Sequence, residues 1–366
     1  MLSTILLVCA LFFFAVIVMN IMGWPKVGKA APGASEPVSV LIPARNEESN
    51  LAKCLDQVLK QGQAVVEVLV YNDHSTDETG RILDEYAKVY PCVRSIDPLP
   101  LAPGWCGKNF ACAQLAQAAK GRWLLFIDAD ARLGEDAVNR MIGEMRRRGL
   151  KFLSCWPAIE MVGFWERALM PTLNFVVLSL FPAPFSVLFS RPSLGLAHGA
   201  CLMFESESYR KIGGHAAVKE QIFEDVRLAQ LWRERGERGL CLDGRNVVSV
   251  RMYDSFEDIR RGFQKNFFPA FRRETSFWAF ILFHLAVFLS PFLFLIATPN
   301  RRLAAAAGIV LLSRFALAAH FHHPLWSALA HPLSELILIW IGLSSWRRCK
   351  SGKGVEWRGR RYRPIN

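Results

Sequence analysis

Trp123-Leu124-Leu125-Phe126-Ile127-Asp128-Ala129-Asp130 is the stretch on which the reading of the fold turns. Apolar residues without polar alternation describe a strand covered on both faces, as in a parallel sheet. Asp128 and Asp130 then fall just past its C-terminal end, where open α/β sheets bind ligands. Carboxylates one residue apart on such a loop can both turn toward one hard cation. Mg2+ or Mn2+ takes one or two carboxylates and fills its shell with phosphate oxygens. Taken alone, the same pair also suits the surface opening of a following helix, so the rest of the chain must decide.

Outward from this stretch the chain alternates between strands and helices. Residues 38–43 read as a strand, followed by Ala44-Arg45-Asn46-Glu47-Glu48 and a helix to about residue 60. Residues 65–71 read as a second strand ending at Asn72-Asp73-His74-Ser75-Thr76-Asp77, with Ser75 or Thr76 expected to cap the next helix. A short strand at 93–96 precedes Gly104-Trp105-Cys106-Gly107-Lys108-Asn109, which opens a helix over 110–119. After Asp130 a further helix runs through 148. This spacing predicts βαβ units, hence a mostly parallel sheet with helices on both faces.

With these pieces in order, the chain resembles the family 2 glycosyltransferases of the GT-A fold. The resemblance rests on Ile42-Pro43-Ala44-Arg45-Asn46-Glu47-Glu48, Asn72-Asp73-His74-Ser75-Thr76-Asp77, Asp128-Ala129-Asp130 and Phe223-Glu224-Asp225, and spans roughly 37–273. Each piece is weak alone; the ordered set is specific. Within the family it is most similar to the membrane-bound carotenoid glycosyltransferases and their hopanoid-associated relatives. That narrower likeness rests on Gly104-Trp105-Cys106-Gly107-Lys108, Gly213-Gly214-His215, Lys265 after Phe263, His331-Pro332-Leu333 and the run 355–362.

The resemblance implies an inverting, metal-dependent hexosyltransferase that draws on a nucleotide sugar, UDP-linked by expectation. Asp73 would contact the base, and Asn46 and Glu47 would lie along the nucleoside. Asp130 would hold the metal, with Asp128 on the ribose or the same metal. Lys108 follows Gly107 at a helix N-terminus, where backbone N–H groups favour anions, so it is a candidate for the diphosphate; a solvated lysine is the plain alternative. Lys265 is a further donor-binding candidate, or part of an amphipathic helix on the membrane surface. Glu224 and Asp225 open an amphipathic helix, an ordinary place for acids. By resemblance Asp225 is the general base, with Glu224 the other candidate. His198 reads as a structural histidine that could alternatively face the acceptor.

Composition places the enzyme at a membrane. The 366 residues are 52% hydrophobic, and the mean hydropathy is +0.20. The excess sits in residues 2–22, 277–297, 303–319 and 325–345, each near the length of a bilayer span. The implied layout is an anchor at 1–23, the catalytic domain at 37–273, membrane segments at 277–346 and a basic tail at 347–366. Pro32, Gly33 and Pro37 mark a linker behind the anchor. The net charge of +12 concentrates in the tail and around Arg260, Arg261, Lys265, Arg272 and Arg273, a pattern of cytoplasmic membrane flanks. No nucleic-acid motif appears. Nine cysteines without Cys-x-x-Cys pairing suit reduced thiols.

The expected cell-membrane topology puts the N-terminus outside and the catalytic domain in the cytoplasm. One of the last three apolar segments should then fail to cross, keeping the tail inside; Arg314 and Glu335 could pair across a re-entrant hairpin, or across a full one that exports the tail. The expected acceptor is a membrane lipid, carotenoid- or isoprenoid-like. A processive polysaccharide synthase and a non-catalytic sugar-nucleotide-binding subunit are the rivals. The first is disfavoured by Gln264-Lys265-Asn266-Phe267-Phe268 in place of Gln-x-x-Arg-Trp, the second by the intact carboxylates.

Overall fold

The structure is a computed structural model that describes residues 1–29, 36–352, 354–357 and 360–362. Pro32 and Gly33 of the expected linker, and Lys353, Arg358, Gly359 and Arg363 of the basic tail, lie outside the described residues. The chain forms two compact units. One, the sheet unit, comprises Pro25–Glu160 and Ser186–Met252. The other, the helical unit, comprises Met1–Trp24, Met161–Phe185 and Tyr253–Asn366.

The sheet unit is built on strands β1 (Val38–Ala44), β2 (Val65–Asn72), β3 (Val93–Ile96), β4 (Trp123–Ile127), β5 (Ala131–Leu133), β6 (Phe152–Trp156), β7 (Ala158–Ile159), β8 (Cys201–Glu205), β9 (Gly239–Asp243) and β10 (Val248–Val250). Its main sheet has the order β3-β2-β1-β4-β8-β6-β9. All neighbours run parallel except β8, which is antiparallel to both β4 and β6. A small second sheet has the order β5-β10-β7.

The unbroken apolar run of β4 is explained by two cores. Trp123, Leu125 and Ile127 pack into one cluster, with Val38, Val40 and Ile42 of β1. Leu124 and Phe126 point the other way and pack with Leu41, Leu69, Phe204 and Trp232. Successive side chains leave a strand on opposite faces, so burial on both faces requires this composition. The register pairs Leu41 with Phe126 and Ala44 with Asn72. The ends of β1, β2 and β4 therefore reach the same edge of the sheet, and their loops leave together.

Two local readings are settled. Asp128 and Asp130 do not take the alternative of opening a helix; they form a turn, closed by Ala131 N–H donating to the Asp128 carbonyl at 2.9 Å, that leads into β5. Neither Ser75 nor Thr76 caps the following helix, which spans Thr79–Val89 and has no side-chain cap. Ser75 Oγ instead accepts from Asn46 N–H at 2.9 Å.

Among the described residues of the helical unit, three helices are long and apolar enough to cross a membrane: Leu2–Gly23, Glu274–Ala297 and Arg301–Phe321. Asn20 ties the first of these to the helix Pro171–Leu180 and the turn behind it. Its Nδ2 donates to the carbonyls of Leu178 and Phe181 at 2.7 and 2.8 Å, and its Oδ1 accepts from Ala183 N–H at 2.8 Å. The fourth apolar segment is broken into Trp326–Leu329 and His331–Lys350 at His331-Pro332. The expected Arg314–Glu335 ion pair does not form: Glu335 binds His284, and Arg314 donates to Thr172 Oγ1.

Candidate active site

The loops after β1 and β2 hold each other by side chain to backbone bonds. Asn46 has a left-handed backbone (φ 54°), a conformation asparagine tolerates better than most residues. From there its Oδ1 accepts from Thr76 N–H at 2.9 Å. Glu47 N–H donates to Thr79 Oγ1 at 2.8 Å, and Glu48 N–H to Asp77 Oδ2 at 3.1 Å. Arg45 donates to the Asp73 carbonyl at 2.6 Å and lies 4.0 Å from its carboxylate. Asp73 is buried and does not cap the next helix. These bonds fix Asn46, Glu47 and Asp73 as one bed.

Beside this bed lies the Asp128-Ala129-Asp130 turn. Arg132 folds back over it and donates to the carbonyls of Ala129 and Ala131 at 3.0 and 2.9 Å, and to Asn50 Oδ1 at 3.0 Å. Asn50 in turn donates to Glu47 Oε2 at 3.0 Å. Arg132 thus connects the acidic turn to the first loop.

The most concentrated charge lies around Lys108, in the first turn of the helix Gly107–Ala118. Its Nζ is 2.7 Å from Asp128 Oδ1 and 3.1 Å from Glu224 Oε1. Burial would lower the Lys108 pKa, but Asp128 and Glu224 outweigh it and hold the ammonium well above its ordinary range. Asp225 adjoins this pair. Burial first, and the Glu224 charge second, push its carboxyl up to about 7, against the opposing pull of Lys108. Gly199 leaves room beside it: a Cβ there would stand 3.1 Å from Lys108 Nζ, a tight contact, and 3.4 Å from Asp225 Oδ2.

His198 faces inward. Its backbone N–H donates to Ser154 Oγ at 2.9 Å, its Nδ1 accepts from Ala200 N–H at 3.3 Å, and its ring lies edge-on to Trp156. Burial, then Lys108, push its pKa down to about 4, so it is neutral at pH 7. His215 of the Gly-Gly-His motif is likewise buried, with Nδ1 2.6 Å from Tyr209 Oη. Lys265 belongs to the helical unit, on the helix Phe256–Asn266. There Gln264 bonds the Ser344 hydroxyl and its carbonyl accepts from Ser345 Oγ at 2.6 Å.

The sheet unit therefore brings together Asn46, Glu47 and Asp73 in one bed, and Asp128, Lys108, Glu224 and Asp225 in one charged cluster. Sequence reasoning missed Arg132 and the role of Gly199. The first had a signal in its place directly behind the acidic turn. The second had none, because it depends on side chains from two distant segments, Lys108 and Asp225. Among the described residues no group of three or more His, Cys, Asp or Glu side chains is placed to hold a metal by itself. Asp128 and Asp130 on one turn still fit a hard cation that takes its other ligands from a phosphorylated substrate.

Comparison with known proteins agrees with this architecture. Residues 39–213 match the family model "Glycosyl transferase family 2". The chain is 27% identical over 339 residues to 4,4'-diaponeurosporenoate glycosyltransferase of Staphylococcus aureus, covering 89% of this chain and 88% of that one. Among solved structures it is similar to the mannosyltransferase PcManGT of Pyrobaculum calidifontis, determined with GDP-Man and Mn2+. There the TM-score is 0.56 at 16% identity, over 94% of this chain and 99% of the other, a likeness of fold. From the ordered motifs, the sheet that gathers them and these matches, residues 39–213 are a family 2 glycosyltransferase domain with a GT-A fold.

Proposed function

We propose that this glycosyltransferase moves one sugar from a nucleotide sugar, UDP-linked, to an apolar carotenoid- or isoprenoid-like acceptor in the membrane, with inversion at the anomeric carbon. The observation that carries the reading is the Lys108 bridge between Asp128 and Glu224, with Asp225 beside it. It joins a carboxylate suited to the donor end to one suited to the acceptor end.

On the donor side, Asp73 accepts from the base, and Asn46 and Glu47 line the nucleoside. Asp130 and Asp128 would hold Mg2+ or Mn2+, which when bound supplies countercharge to the diphosphate. Lys108 adds a fixed positive charge at a helix N-terminus, both favourable to a departing anion. Lys265 is proposed as a further donor contact. On the acceptor side, Asp225 takes the proton as the acceptor oxygen attacks. A carboxyl with a pKa near 7 is a stronger base than an ordinary aspartate and is still ionised in useful amount at neutral pH. Glu224, paired with Lys108, adds to the proton affinity of Asp225 through its negative charge.

The acceptor class is supported by the named carotenoid relative and by the apolar helices of the helical unit. The reading is tested by incubating membranes carrying the protein with radiolabelled UDP-glucose and other UDP sugars, followed by lipid extraction and mass spectrometry. A glycosylated apolar lipid, absent with Asp225→Asn, is the expected result. Label found only in polysaccharide, or an unchanged yield from the variant, would sink it.

A further inference from the structure

Four ionisable side chains of the helical unit, among others that the proposed reaction does not use, lie deep in it and close together. His284, Arg314, His331 and Glu335 are each at most 2% exposed. They come from Glu274–Ala297, Arg301–Phe321 and His331–Lys350, and the first two of these helices are long and apolar enough to cross a membrane. Ionisable groups in such helices are costly and usually mark a site.

Their contacts make one cluster. Glu335 Oε1 lies 2.6 Å from His284 Nδ1. Glu335 stands one turn after His331, whose Nε2 lies 3.0 Å from the Phe288 carbonyl oxygen. The His331 ring centroid is 5.1 Å from that of Phe175, and the Arg314 guanidinium carbon is 5.2 Å from the same ring. His331 interacts electrostatically with Arg314, Glu335 and His284. His284 and Phe288 share a π-helical turn, His284–Leu289, a geometry that recurs at functional sites.

Each of the four keeps one buried polar atom with no protein partner: His284 Nε2, Arg314 Nη2, His331 Nδ1 and Glu335 Oε2. Buried polar groups are normally satisfied by protein or by a bound molecule. The types of atom select the ligand. A carbonyl oxygen only accepts, so His331 carries a proton on Nε2, and the neutral ring then presents a lone pair at Nδ1. Glu335 Oε2 also accepts, and Arg314 Nη2 only donates. The ligand must therefore donate to His331 or Glu335 and accept from Arg314. Water or an alcohol does both. A carboxylate or phosphate would set lone pairs against lone pairs at His331 and Glu335.

We propose that this cluster is an internal binding site for one hydroxylic ligand, water or the hydroxyl end of a long-chain alcohol, held by Arg314, His331 and Glu335. Cryo-electron microscopy of the full chain in lipid nanodiscs tests it. The expected map has density within hydrogen-bonding reach of Arg314 Nη2 and of His331 Nδ1 or Glu335 Oε2. Compact density identifies water, and density that continues as a chain identifies the alcohol. Arg314 bonded directly to Glu335, or no density there, overturns the proposal. Thermal unfolding of the detergent-solubilised chain with geranylgeraniol or geranylgeranoic acid gives a second reading. A lipid-alcohol site predicts a Tm raised by the alcohol and not by the acid, and no difference in Arg314→Met. A water site predicts a shift by neither. Equal stabilisation by the acid overturns the hydroxyl assignment.

Discussion

Asp225 concentrates the consequences of the site at the scale of single residues. Its carboxyl is pushed up to about 7 by burial and by Glu224, so a base at this position gains activity as pH rises through that value. The expected kcat/KM rises tenfold per pH unit below about 7 and levels above it; a profile flat from pH 5 to 8 would exclude Asp225 as the base. Lys108 opposes the upward shift, so Lys108→Met should move the midpoint to higher pH as well as weaken turnover. Asp225→Asn should cut transfer by roughly 100-fold or more, within the range of general-base catalysis. It should leave donor affinity, measured by calorimetry, within a few-fold. The same shift sets a stability trend. Folded Asp225 keeps its proton up to about 7, whereas an unfolded aspartate loses it near about 3.9. Ionisation therefore subtracts stability as pH rises through that window. Asp225→Asn should unfold at a higher temperature than the parent at pH 8, and at the same temperature below pH 4. Asp130→Asn tests the donor side of the proposed reaction. It should abolish transfer and weaken Mn2+ binding in the presence of UDP, with unfolding temperature unchanged; normal Mn2+ affinity would remove Asp130 from the metal site.

At the scale of elements, turns decide where the charged residues stand. Gly213 and Gly214 end the helix Ser206–Ile212 with left-handed backbones, φ 92° and 49°. A Cβ on Gly214 would come within 2.2 Å of the Tyr209 ring, which bonds the buried His215. Gly236 also has positive φ, 77°, but nothing lies within 4 Å of its Cβ position. Gly236→Ala should therefore cost only backbone strain, about 1 kcal/mol. Gly214→Ala adds the clash and should cost about 3 kcal/mol or more, read as a clearly lower Tm. Equal losses would show that the Tyr209 contact is unimportant. These elements also show what a sequence makes legible. The strands β1, β2 and β4 and the acidic turn were readable because burial on both faces leaves a local mark. The antiparallel insertion of β8 between β4 and β6 was not, because it is fixed by pairing between residues 124 and 204 and between 154 and 202. Ser75 reads locally as a cap, yet it serves Asn46 across 29 positions. Gly199 reads as nothing at all, since its value lies in the space it leaves for Lys108 and Asp225.

At the scale of the molecule, the apolar segments carry a topology that can be argued to a prediction. Among the described residues, three helices are long and apolar enough to cross. The segment around His331-Pro332 is broken, and its buried Glu335 faces His284, not lipid. Nucleotide sugars are cytoplasmic, so the sheet unit should be inside and the N-terminus outside. From there the helix Glu274–Ala297 should lead out and Arg301–Phe321 should lead back. An even number of crossings after the catalytic part returns Arg347, Arg348 and Lys350, in the last turn of His331–Lys350, to the cytoplasm, where the positive-inside rule puts them. A fourth crossing would export these cations. Cys349 offers the test, because it is half-buried, as are Cys9 and Cys92, whereas the other six cysteines are buried. In a chain with Cys9 and Cys92 changed to alanine, a membrane-impermeant maleimide should leave Cys349 unlabelled in intact cells and label it once the membrane is opened. Labelling in intact cells would require the fourth crossing and would put the last helix across the bilayer, with Glu335 and His331 carried inside it.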